Sequence, residues 1–411
     1  MNDAALSAPP LETELLIPQG ESPEIPEISI VVPALNEEIT VAEFVDWCHE
    51  GLRAAGVSGE IIIVDSSSDR TPSIALERGA RVLRTPKRGL GRAYIDAIPF
   101  IRGKFVIMGD CDLTYDFRNL KPFVDAYRRG AEFVMGSRFK GSIEDGAMPA
   151  LHRYFGTPLT TWILNFIYRS RFTDIHCGMR GLTREALAKI DLHSQSWEYA
   201  SEMVLKAARL DLRIEEVPVA FYKDREGRTS HHRRLGWLSP WIAGWLNLKV
   251  MLVYSPDSFL LKPGYLLMLI GLVLTVLPVF GGPVIVFGIG FNLYWQILGV
   301  TCATLGYSSV QVGVLARILH KLRSGVAMRI QRILAYDNGM VVSAILVLAG
   351  IGLAIPLVVE YVAGGLRLAE GSPLAILGLL LVILGFQTFG FTLILEMLRR
   401  VNPQGRKNPD L

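Results

Sequence analysis

The stretch Phe-Val-Ile-Met-Gly-Asp-Cys-Asp (residues 105–112) decides the fold class of this chain. Its apolar part, preceded by Lys104, predicts a buried parallel strand that ends at Met108. Asp110 and Asp112 follow at the C-terminal end of that strand, the edge where ligands bind in open α/β sheets. Two Asp side chains one residue apart in a turn can share a hard divalent cation with a diphosphate. A lone pair of this kind is more often a solvated turn, so the interpretation depends on the rest of the chain.

Strand-like runs alternate with helical stretches around this motif. The predicted strands are Ile28–Val32, Glu60–Val64, Ala80–Arg84, Lys104–Met108 and Glu132–Met135. The predicted helices are Ile39–Ala55, Thr71–Arg78, Gly91–Arg102 and Asn119–Arg129. Such an alternation indicates βαβ units, and hence an α/β domain with a mainly parallel, Rossmann-like sheet.

Polar residues follow each of the first four predicted strands. They are Pro33-Ala34-Leu35-Asn36-Glu37-Glu38, Asp65-Ser66-Ser67-Ser68-Asp69, Lys87-Arg88-Gly89-Leu90-Gly91 and Asp110-Cys111-Asp112. Taken alone, each is an ordinary turn or helix cap. Because the carboxyl ends of parallel strands meet at one edge of a sheet, the four together predict a nucleotide-binding crevice.

The C-terminal part contains runs long enough to cross a bilayer. No Asp, Glu, Lys or Arg occurs from Pro263 to Ala316, and two more uncharged stretches follow, Asn338–Val359 and Gly371–Leu395. About 20 apolar residues suffice for one span. We therefore predict four transmembrane helices within residues 259–400, at about 263–281, 284–316, 338–361 and 372–397. The alternative, a very hydrophobic soluble core, does not need such long uncharged runs.

Basic residues near the spans predict the topology. Between the second and third spans lie Arg317, Lys321, Arg323, Arg329 and Arg332, and the C-terminal tail contains Arg399, Arg400, Arg406 and Lys407. The turn at Gly281 has none, and the segment Glu360–Glu370 has only Arg367. We expect a multi-pass protein of the cell membrane whose large domain and tail (residues 401–411) face the cytoplasm.

The remaining features of composition limit the function. Residues 1–26 are acidic and Pro-rich, which predicts a disordered tail without a secretory signal. The four cysteines (Cys48, Cys111, Cys177 and Cys302) match no zinc spacing. The net charge of +3 comes with a basic excess in the loops that flank the spans, so no nucleic-acid partner is expected.

The polar motifs at the sheet edge resemble those of a known family. Val31–Glu38, the Asp65 turn, Gly89–Ala93 and Asp110–Asp112 resemble the GT-A glycosyltransferases of family 2. Within that family the chain is similar to the membrane-anchored polyprenyl-phosphate glycosyltransferases, including dolichyl-phosphate mannose and glucose synthases. The resemblance covers about residues 27–256, and it implies a GT-A catalytic domain over residues 27–232 followed by an all-α domain of four transmembrane helices.

The resemblance also implies a nucleotide site. Pro33, Asn36 and Glu37 would line the nucleotide pocket, and Asp65 would contact the base. Further nucleotide-binding residues implied by the resemblance are Lys87, Gly91 and Asp110. Asp110 and Asp112 would hold Mg²⁺ or Mn²⁺ against the diphosphate of a sugar nucleotide.

This sequence departs from the family pattern at two places. The Asp65 turn is one residue shorter than the usual Val-Asp-Asp-Gly-Ser-x-Asp, which leaves the base open. Thr114 replaces a Gln that often follows the second metal-binding Asp, and Asp116 is a candidate for the third protein ligand.

An acceptor phosphate that approaches a diphosphate needs cations, and the arginine fork suits phosphate oxygens. By the resemblance, Arg138, Arg153 and Thr157 match the positions that hold the lipid phosphate in dolichyl-phosphate mannose synthases. Surface arginines that cap helices are the alternative.

Two further stretches match the family. Asp174–Arg180 resembles a segment that lies beside the donor sugar, which implies catalytic roles for Asp174 and Arg138 together with Asp110 and Asp112. The segment Arg225–Ser230 resembles a loop that closes over the site near the membrane, so both of its end residues join the acceptor-phosphate set.

One more segment predicts a contact with the bilayer surface. Trp237, Trp241 and Trp245 lie on one face of a predicted helix, and His231-His232-Arg233-Arg234 precedes them. This pattern predicts interfacial amphipathic helices over residues 233–258.

Together these features predict inverting transfer of a hexose from a sugar nucleotide to polyprenyl phosphate. UDP-glucose is the first choice of donor and GDP-mannose the second. The acceptor phosphate is largely anionic at neutral pH, with a second pKa of about 6, so no strong general base is needed. We expect the four spans to hold the polyprenyl chain, to support a homo-oligomer, or to do both.

Two other functions are weighed against this one. A processive polysaccharide synthase would have a Gln-x-x-Arg-Trp helix, which Gln195–Tyr199 does not match. A non-catalytic membrane adaptor or lipid translocation partner would not need Asp110, Asp112, Arg138 and Arg153.

Overall fold

The computed structural model describes residues 13–20, 24–225, 227–228, 249, 252, 255–281, 284–286, 289–319, 336–366 and 371–401. The chain forms two compact units, Met1–Met251 and Leu252–Leu411. Ser230 and the three tryptophans Trp237, Trp241 and Trp245 lie outside the described residues, so their predicted roles stay predictions.

The described residues of the first unit form an eight-stranded sheet in the order β1-β4-β3-β2-β5-β7-β6-β8. Its strands are β1 (Glu14–Leu16), β2 (Ile28–Ala34), β3 (Gly59–Asp65), β4 (Arg81–Arg84), β5 (Phe105–Met108), β6 (Phe133–Ile143), β7 (Arg180–Thr183) and β8 (Ile214–Phe221). Strands β2 to β5 pair in parallel, as do β6 and β8. Strand β7 is antiparallel to both of its neighbours. The predicted mainly parallel α/β sheet is thus confirmed.

Helices connect these strands and cover the sheet. They are α1 (Val41–Ala55), α2 (Thr71–Glu77), α3 (Leu90–Ala97), α4 (Lys121–Arg128), α5 (Thr157–Tyr168), α6 (Arg184–Ile190) and α7 (Tyr199–Arg209). The central strands are apolar on both faces, and all four residues of β5 are buried. Burial on both faces explains why these strands read as continuous apolar runs in the sequence.

Strand β1 lies within the segment that the sequence predicts to be disordered. Leu15 and Leu16 are half-buried, and the strand pairs in antiparallel fashion with the edge strand β4. The disorder prediction is therefore wrong for Glu14–Leu16. Pairing with an existing sheet edge gives these residues backbone hydrogen bonds that composition alone does not reveal.

The second unit contains four helices, among its described residues, that are long and apolar enough to cross a membrane. They are α8 (Lys262–Gly281), α9 (Leu293–Leu319), α10 (Tyr336–Ala363) and α11 (Pro373–Val401). The prediction that the second span begins at residue 284 is wrong. Val284–Val286 and Ile289–Phe291 pair as antiparallel strands, β9 and β10, because their β-branched residues favour strand over helix.

Small residues set the packing of the long helices within this unit. A Cβ atom on Gly271 of α8 would lie 2.1 Å from the backbone nitrogen of Ala303 in α9. Likewise, a Cβ atom on Gly350 of α10 would lie 2.5 Å from the carbonyl oxygen of Gly378 in α11. Such close approach of backbones is typical of helices packed within a bilayer.

Candidate active site at the carboxyl edge of the sheet

The turn after β5 is held in one conformation by its own side chains. Oδ1 of Asp112 accepts hydrogen bonds from the backbone nitrogen and the hydroxyl of Thr114, at 3.0 and 2.6 Å. Leu113 has a φ of 62°, as this tight turn requires. The hydroxyl of Thr40, at the start of α1, donates to the carbonyl oxygen of Cys111 at 2.9 Å. The Asp112 carboxylate is thus fixed by hydrogen bonds, and Asp110 lies in the same turn at the C-terminal end of β5.

Asp110 and Asp112 form a concentration of negative charge. Burial, followed by the charge of Asp112, raises the pKa of Asp110 to about 7. Burial also raises the pKa of Asp112 above its ordinary value. A Cβ atom on Gly178 would lie 2.6 Å from Oδ2 of Asp110, so only glycine leaves room beside this carboxylate.

These two side chains fit a hard divalent cation. In the part of the chain that the structure describes, no group of three or more His, Cys, Asp or Glu residues could hold a metal. Mg²⁺ is typically bound by one or two carboxylates, with water and substrate phosphates as its other ligands. The pair therefore suits a cation that arrives with a diphosphate.

The loops after β2 and β3 are joined to each other beside this turn. The backbone nitrogen of Asn36 donates to the hydroxyl of Ser67 at 2.7 Å, and Oδ1 of Asn36 accepts from the backbone nitrogen of Ser68 at 2.9 Å. Pro33 lies in β2 and pairs with Val64 of β3. The predicted pocket residues Pro33 and Asn36 thus lie at the carboxyl edge of the sheet.

Asp65 ends β3 with an unsatisfied acceptor. Its side chain is fully buried and forms an ion pair with Arg84 through Oδ2. Oδ1 is buried and has no hydrogen-bond partner in the described structure. Buried carboxylate oxygens are normally hydrogen-bonded, so this atom is suited to accept an N–H group of a ligand.

The loop after β4 holds its arginines on a buried acid. Arg88 and Arg92 lie 3.1 and 2.7 Å from the Asp96 carboxylate. Lys87 is exposed. A Cβ atom on Gly91 would lie 2.2 Å from the carbonyl oxygen of Ser194, so the structure gives this glycine a packing role. Contact of Lys87 or Gly91 with a nucleotide stays a prediction.

Arg138 and Asp174 form a buried bidentate pair. Nε and Nη2 of Arg138 donate to Oδ2 and Oδ1 of Asp174 at 2.6 and 2.8 Å. The Arg138 guanidinium lies 5.2 Å from the centre of the Phe221 ring. Asp174 thus orients the arginine that the sequence assigns to the acceptor phosphate.

The start of α5 is linked to this pair. Arg153 lies in a π-helical turn, and Thr157 is buried at the first position of α5. The hydroxyl of Thr160 lies 2.8 Å from Nε2 of His176, whose backbone nitrogen donates to Asp174 at 3.2 Å. Burial lowers the pKa of His176 to about 4, so the imidazole is neutral at pH 7.

Comparison with known proteins identifies the family. Residues 29–191 match the model of glycosyl transferase family 2, and residues 319–399 match the C-terminal transmembrane region of family 2 glycosyltransferases. The low-salt glycan biosynthesis hexosyltransferase Agl6 of Haloferax volcanii is 37% identical over 306 residues, which are 74% of this chain and 71% of that protein. The chain belongs to glycosyltransferase family 2.

Other known proteins are similar to parts of this family 2 glycosyltransferase in sequence or in structure. A dolichyl-phosphate hexose transferase of Haloferax volcanii is 30% identical over 206 residues, 49% of this chain and 86% of that protein. A solved glucosyl-3-phosphoglycerate synthase from Mycobacterium tuberculosis overlaps with 56% of this chain and 80% of its own, at 20% identity and a TM-score of 0.43. A mannosyltransferase from Pyrobaculum calidifontis overlaps with 89% and 88%, at 13% identity and 0.36. Because both TM-scores are low, the family assignment rests on the sequence relatives.

The matched transmembrane region and the four long apolar helices make this family 2 glycosyltransferase a membrane protein. The predicted family, the fold class and the membrane attachment are therefore confirmed.

The sequence analysis did not single out Arg228, which lies beside Glu37 and Asp112 in the candidate site. Its Nε and Nη2 donate to Glu37 at 2.7 and 2.5 Å, and its Nη1 lies 3.7 Å from Oδ2 of Asp112. Glu37 is buried and its backbone nitrogen donates to the hydroxyl of Thr71 at 2.8 Å. The available signal was a basic residue inside the segment Arg225–Ser230, which the family resemblance places over the site.

Two residues that the sequence assigns to the site have other partners. Asp116, the candidate third ligand, accepts from Nε and Nη2 of Arg118 at 2.8 and 3.0 Å and from the hydroxyl of Tyr222 at 2.9 Å. Burial raises the pKa of Asp116, but Arg118 and Tyr222 outweigh it, and the net shift is downward. Arg225 forms an exposed ion pair with Glu43 of α1, so the structure does not bring it to the Arg138–Asp174 pair.

Proposed function

We propose that this chain transfers a hexose from a sugar nucleotide to polyprenyl phosphate, with inversion at the anomeric carbon. The observation that carries the proposal is the pair of close carboxylates, Asp110 and Asp112, fixed at the carboxyl edge of the sheet with raised pKa values. Perturbed carboxyl groups beside an open sheet edge are typical of ligand sites.

On the donor side, Asp65 accepts an N–H group of the nucleobase with its free Oδ1, and Pro33 and Asn36 line the pocket. Asp110 and Asp112 would hold Mg²⁺ or Mn²⁺. When bound, this cation neutralises the charge of the departing nucleoside diphosphate. UDP-glucose is the first donor that we propose and GDP-mannose the second, in keeping with relatives that are named hexose transferases.

On the acceptor side, polyprenyl phosphate is supported by the relative named dolichyl-phosphate hexose transferase. Arg138, oriented by Asp174, binds the phosphate together with Arg153. A phosphate oxygen forms a bond to the anomeric carbon while the bond from that carbon to the diphosphate breaks. The phosphate has a second pKa of about 6, so at pH 7 the attacking oxygen needs no general base.

We propose that the reaction occurs at the cytoplasmic face of the membrane. The support is the excess of Lys and Arg in the segment between the second and third long helices and in the C-terminal tail. Short loops rich in basic residues stay on the cytoplasmic side of a bilayer.

The experiment is sugar transfer by the full-length protein in lipid nanodiscs. UDP-glucose, UDP-galactose, UDP-GlcNAc and GDP-mannose are offered separately, with polyprenyl phosphate and Mg²⁺ or Mn²⁺. We expect one metal-dependent glycolipid with a single sugar, lost in Asp112→Asn and retained in Asp125→Asn, a surface carboxylate paired with Lys121. A polymeric product would indicate a processive synthase, and no product with any donor would contradict the proposal.

A further inference from the structure

Helix α5 and the turn before it expose large apolar side chains. We call the following six residues the aromatic face: Leu151, Tyr154, Phe155, Leu159, Trp162 and Phe166. The exposed fractions of Tyr154 and Phe166 are 74% and 76%. The rings of Trp162 and Phe166 stack with their centres 5.8 Å apart. Contiguous exposed apolar surface of this kind marks an interaction site.

The amphipathic pattern of α5 is reversed relative to a helix of a soluble domain. Its buried side contains Thr157, Thr161 and Leu164, which are at most 5% exposed. Its outer side contains three residues of the aromatic face, Leu159, Trp162 and Phe166. A helix that only covered the sheet would bury those residues instead. The outward side is therefore built for an apolar or interfacial environment.

The charge around the aromatic face is positive, which favours contact with an anionic surface. No Asp or Glu occurs in residues 147–173, whereas Arg153, Arg169 and Arg171 do. Arg169 and Arg171 are exposed just beyond the C-terminal end of α5. Trp, Phe and Leu next to arginine, without acidic residues, are characteristic of surfaces that enter the headgroup region of anionic membranes.

We propose that the aromatic face inserts into the headgroup region of an anionic lipid surface. Because the chain is a membrane protein of family 2, a bilayer is present wherever the protein resides. If two copies of the chain paired through this face, their arginines would come together. The segment has no acidic residues to offset that charge, which disfavours a second copy as the occupant.

Docking of α5 has a consequence for the acceptor site. Thr160 lies within α5 and contacts His176, which in turn contacts Asp174, the partner of Arg138. Docking therefore sets the depth of Arg138 and Arg153 relative to the lipid headgroups. This consequence rests on the proposed function, whereas the docking itself does not.

The test measures how deep a nitroxide label lies in nanodiscs that contain the full-length protein. Phe166→Cys is labelled in a Cys302→Ser background, since Cys48, Cys111 and Cys177 are buried. Ile25→Cys is the matched control. Ile25 is 75% exposed, as exposed as Phe166, and it lies just before the amino end of β2, outside the aromatic face. Collision rates with oxygen, which partitions into lipid, and with a water-soluble nickel chelate give the depth of each label.

We expect the ratio of oxygen to nickel collisions to be several-fold higher at position 166 than at position 25. The ratio at position 166 should fall when phosphatidylcholine replaces the anionic lipid, and also in Trp162→Glu. Equal ratios at both positions would place the face in water and overturn the proposal. Dipolar broadening between labels would indicate a second copy, and exclusion of both reagents would indicate a protein cover; either result also overturns it. Because the readout needs no sugar transfer, it fails or succeeds separately from the proposed function.

Discussion

The two ends of the mainly parallel sheet hold carboxylates whose pKa values are shifted in opposite directions. At the start of β3, Glu60 accepts from the Ser29 hydroxyl at 2.6 Å, from Arg81 at 2.7 Å and from Nε of Arg102 at 2.8 Å. Burial raises the pKa of Glu60, but these partners outweigh it and the net shift is downward. At the end of β5, burial and Asp112 raise the pKa of Asp110 to about 7.

The difference separates structure from function within the same sheet. Glu60 is fully compensated by side chains of the chain itself, so its charge stabilises the fold. Among the described residues, neither Asp110 nor Asp112 has a comparable cationic partner, and Nη1 of Arg228 lies 3.7 Å from Oδ2 of Asp112. Uncompensated charge in a half-buried position is unfavourable for the folded protein, and it is typical of sites where a ligand supplies the missing charge.

The largest effect is expected for the free energy of unfolding when Glu60, at the start of β3, loses a charge partner. Arg81→Met should lower the free energy of unfolding by about 3–5 kcal/mol, because Glu60 loses a partner while it stays buried. Chemical denaturation of the full-length protein measures this. Arg78→Met, which breaks an exposed pair with Asp46, should cost less than about 1 kcal/mol. Equal costs for the two variants would show that burial of the Glu60 cluster has no energetic consequence.

The next largest effect is expected for sugar transfer when Asp112, after the end of β5, loses its charge. Asp112→Asn should reduce sugar transfer by about 100-fold or more, since a bound cation contributes several kcal/mol to the transition state. The free energy of unfolding should stay the same or rise, because one of two repelling charges is removed. Steady-state kinetics and denaturation on the same preparation check both statements. A strongly destabilised variant would contradict the assignment of this carboxylate to ligand binding.

The pH dependence of cation binding tests the raised pKa of Asp110. Since the pKa of Asp110 is raised from 3.8 to about 7, a proton occupies this carboxylate as the pH falls below 7 and competes with the cation. The affinity for Mn²⁺ should therefore decrease by about tenfold for each pH unit below 7 and level off above it. Binding isotherms between pH 5.5 and 8 measure the slope. The same slope in Asp110→Asn would contradict this origin.

The smallest effect concerns Arg228. Its charge lowers the pKa values of both Asp110 and Asp112. Arg228→Gln should therefore move the midpoint of the Mn²⁺ binding curve to higher pH, by about one unit at most. A midpoint that moves to lower pH would show that the guanidinium competes with the cation for Asp112 more than it lowers the pKa.

The sequence predicts the parts of the fold that depend on local patterns. The apolar runs of β2, β3 and β5 and the carboxylates behind β5 follow from periodicity and from strand ends. The insertion of β7 between β5 and β6 was not predicted, since pairing between distant segments leaves no local signal. The strand pair before α9 was missed because a continuous apolar run does not distinguish strand from helix.

The candidate site divides in the same way. Asp110, Asp112, Asn36 and Asp65 could be proposed from the sequence because each follows a predicted strand. The ion pairs around the candidate site were not predicted, because pairs such as Arg138–Asp174 and Arg228–Glu37 join segments far apart in the chain. Those pairs depend on the tertiary fold, which brings the carboxyl ends of several strands and a later loop to one edge.

Mn²⁺ binding to the full-length protein in detergent, measured with and without UDP or GDP, tests whether the β5 carboxylates form a cation–diphosphate site. Free Mn²⁺ is measured by electron paramagnetic resonance for the native chain, Asp112→Asn and Asp125→Asn. We predict one site that one of the two nucleotides tightens by about tenfold or more, that Asp112→Asn abolishes and that Asp125→Asn leaves unchanged. Equal binding to the native chain and Asp112→Asn, or no binding with either nucleotide, would contradict the assignment of the β5 carboxylates to a cation–diphosphate site.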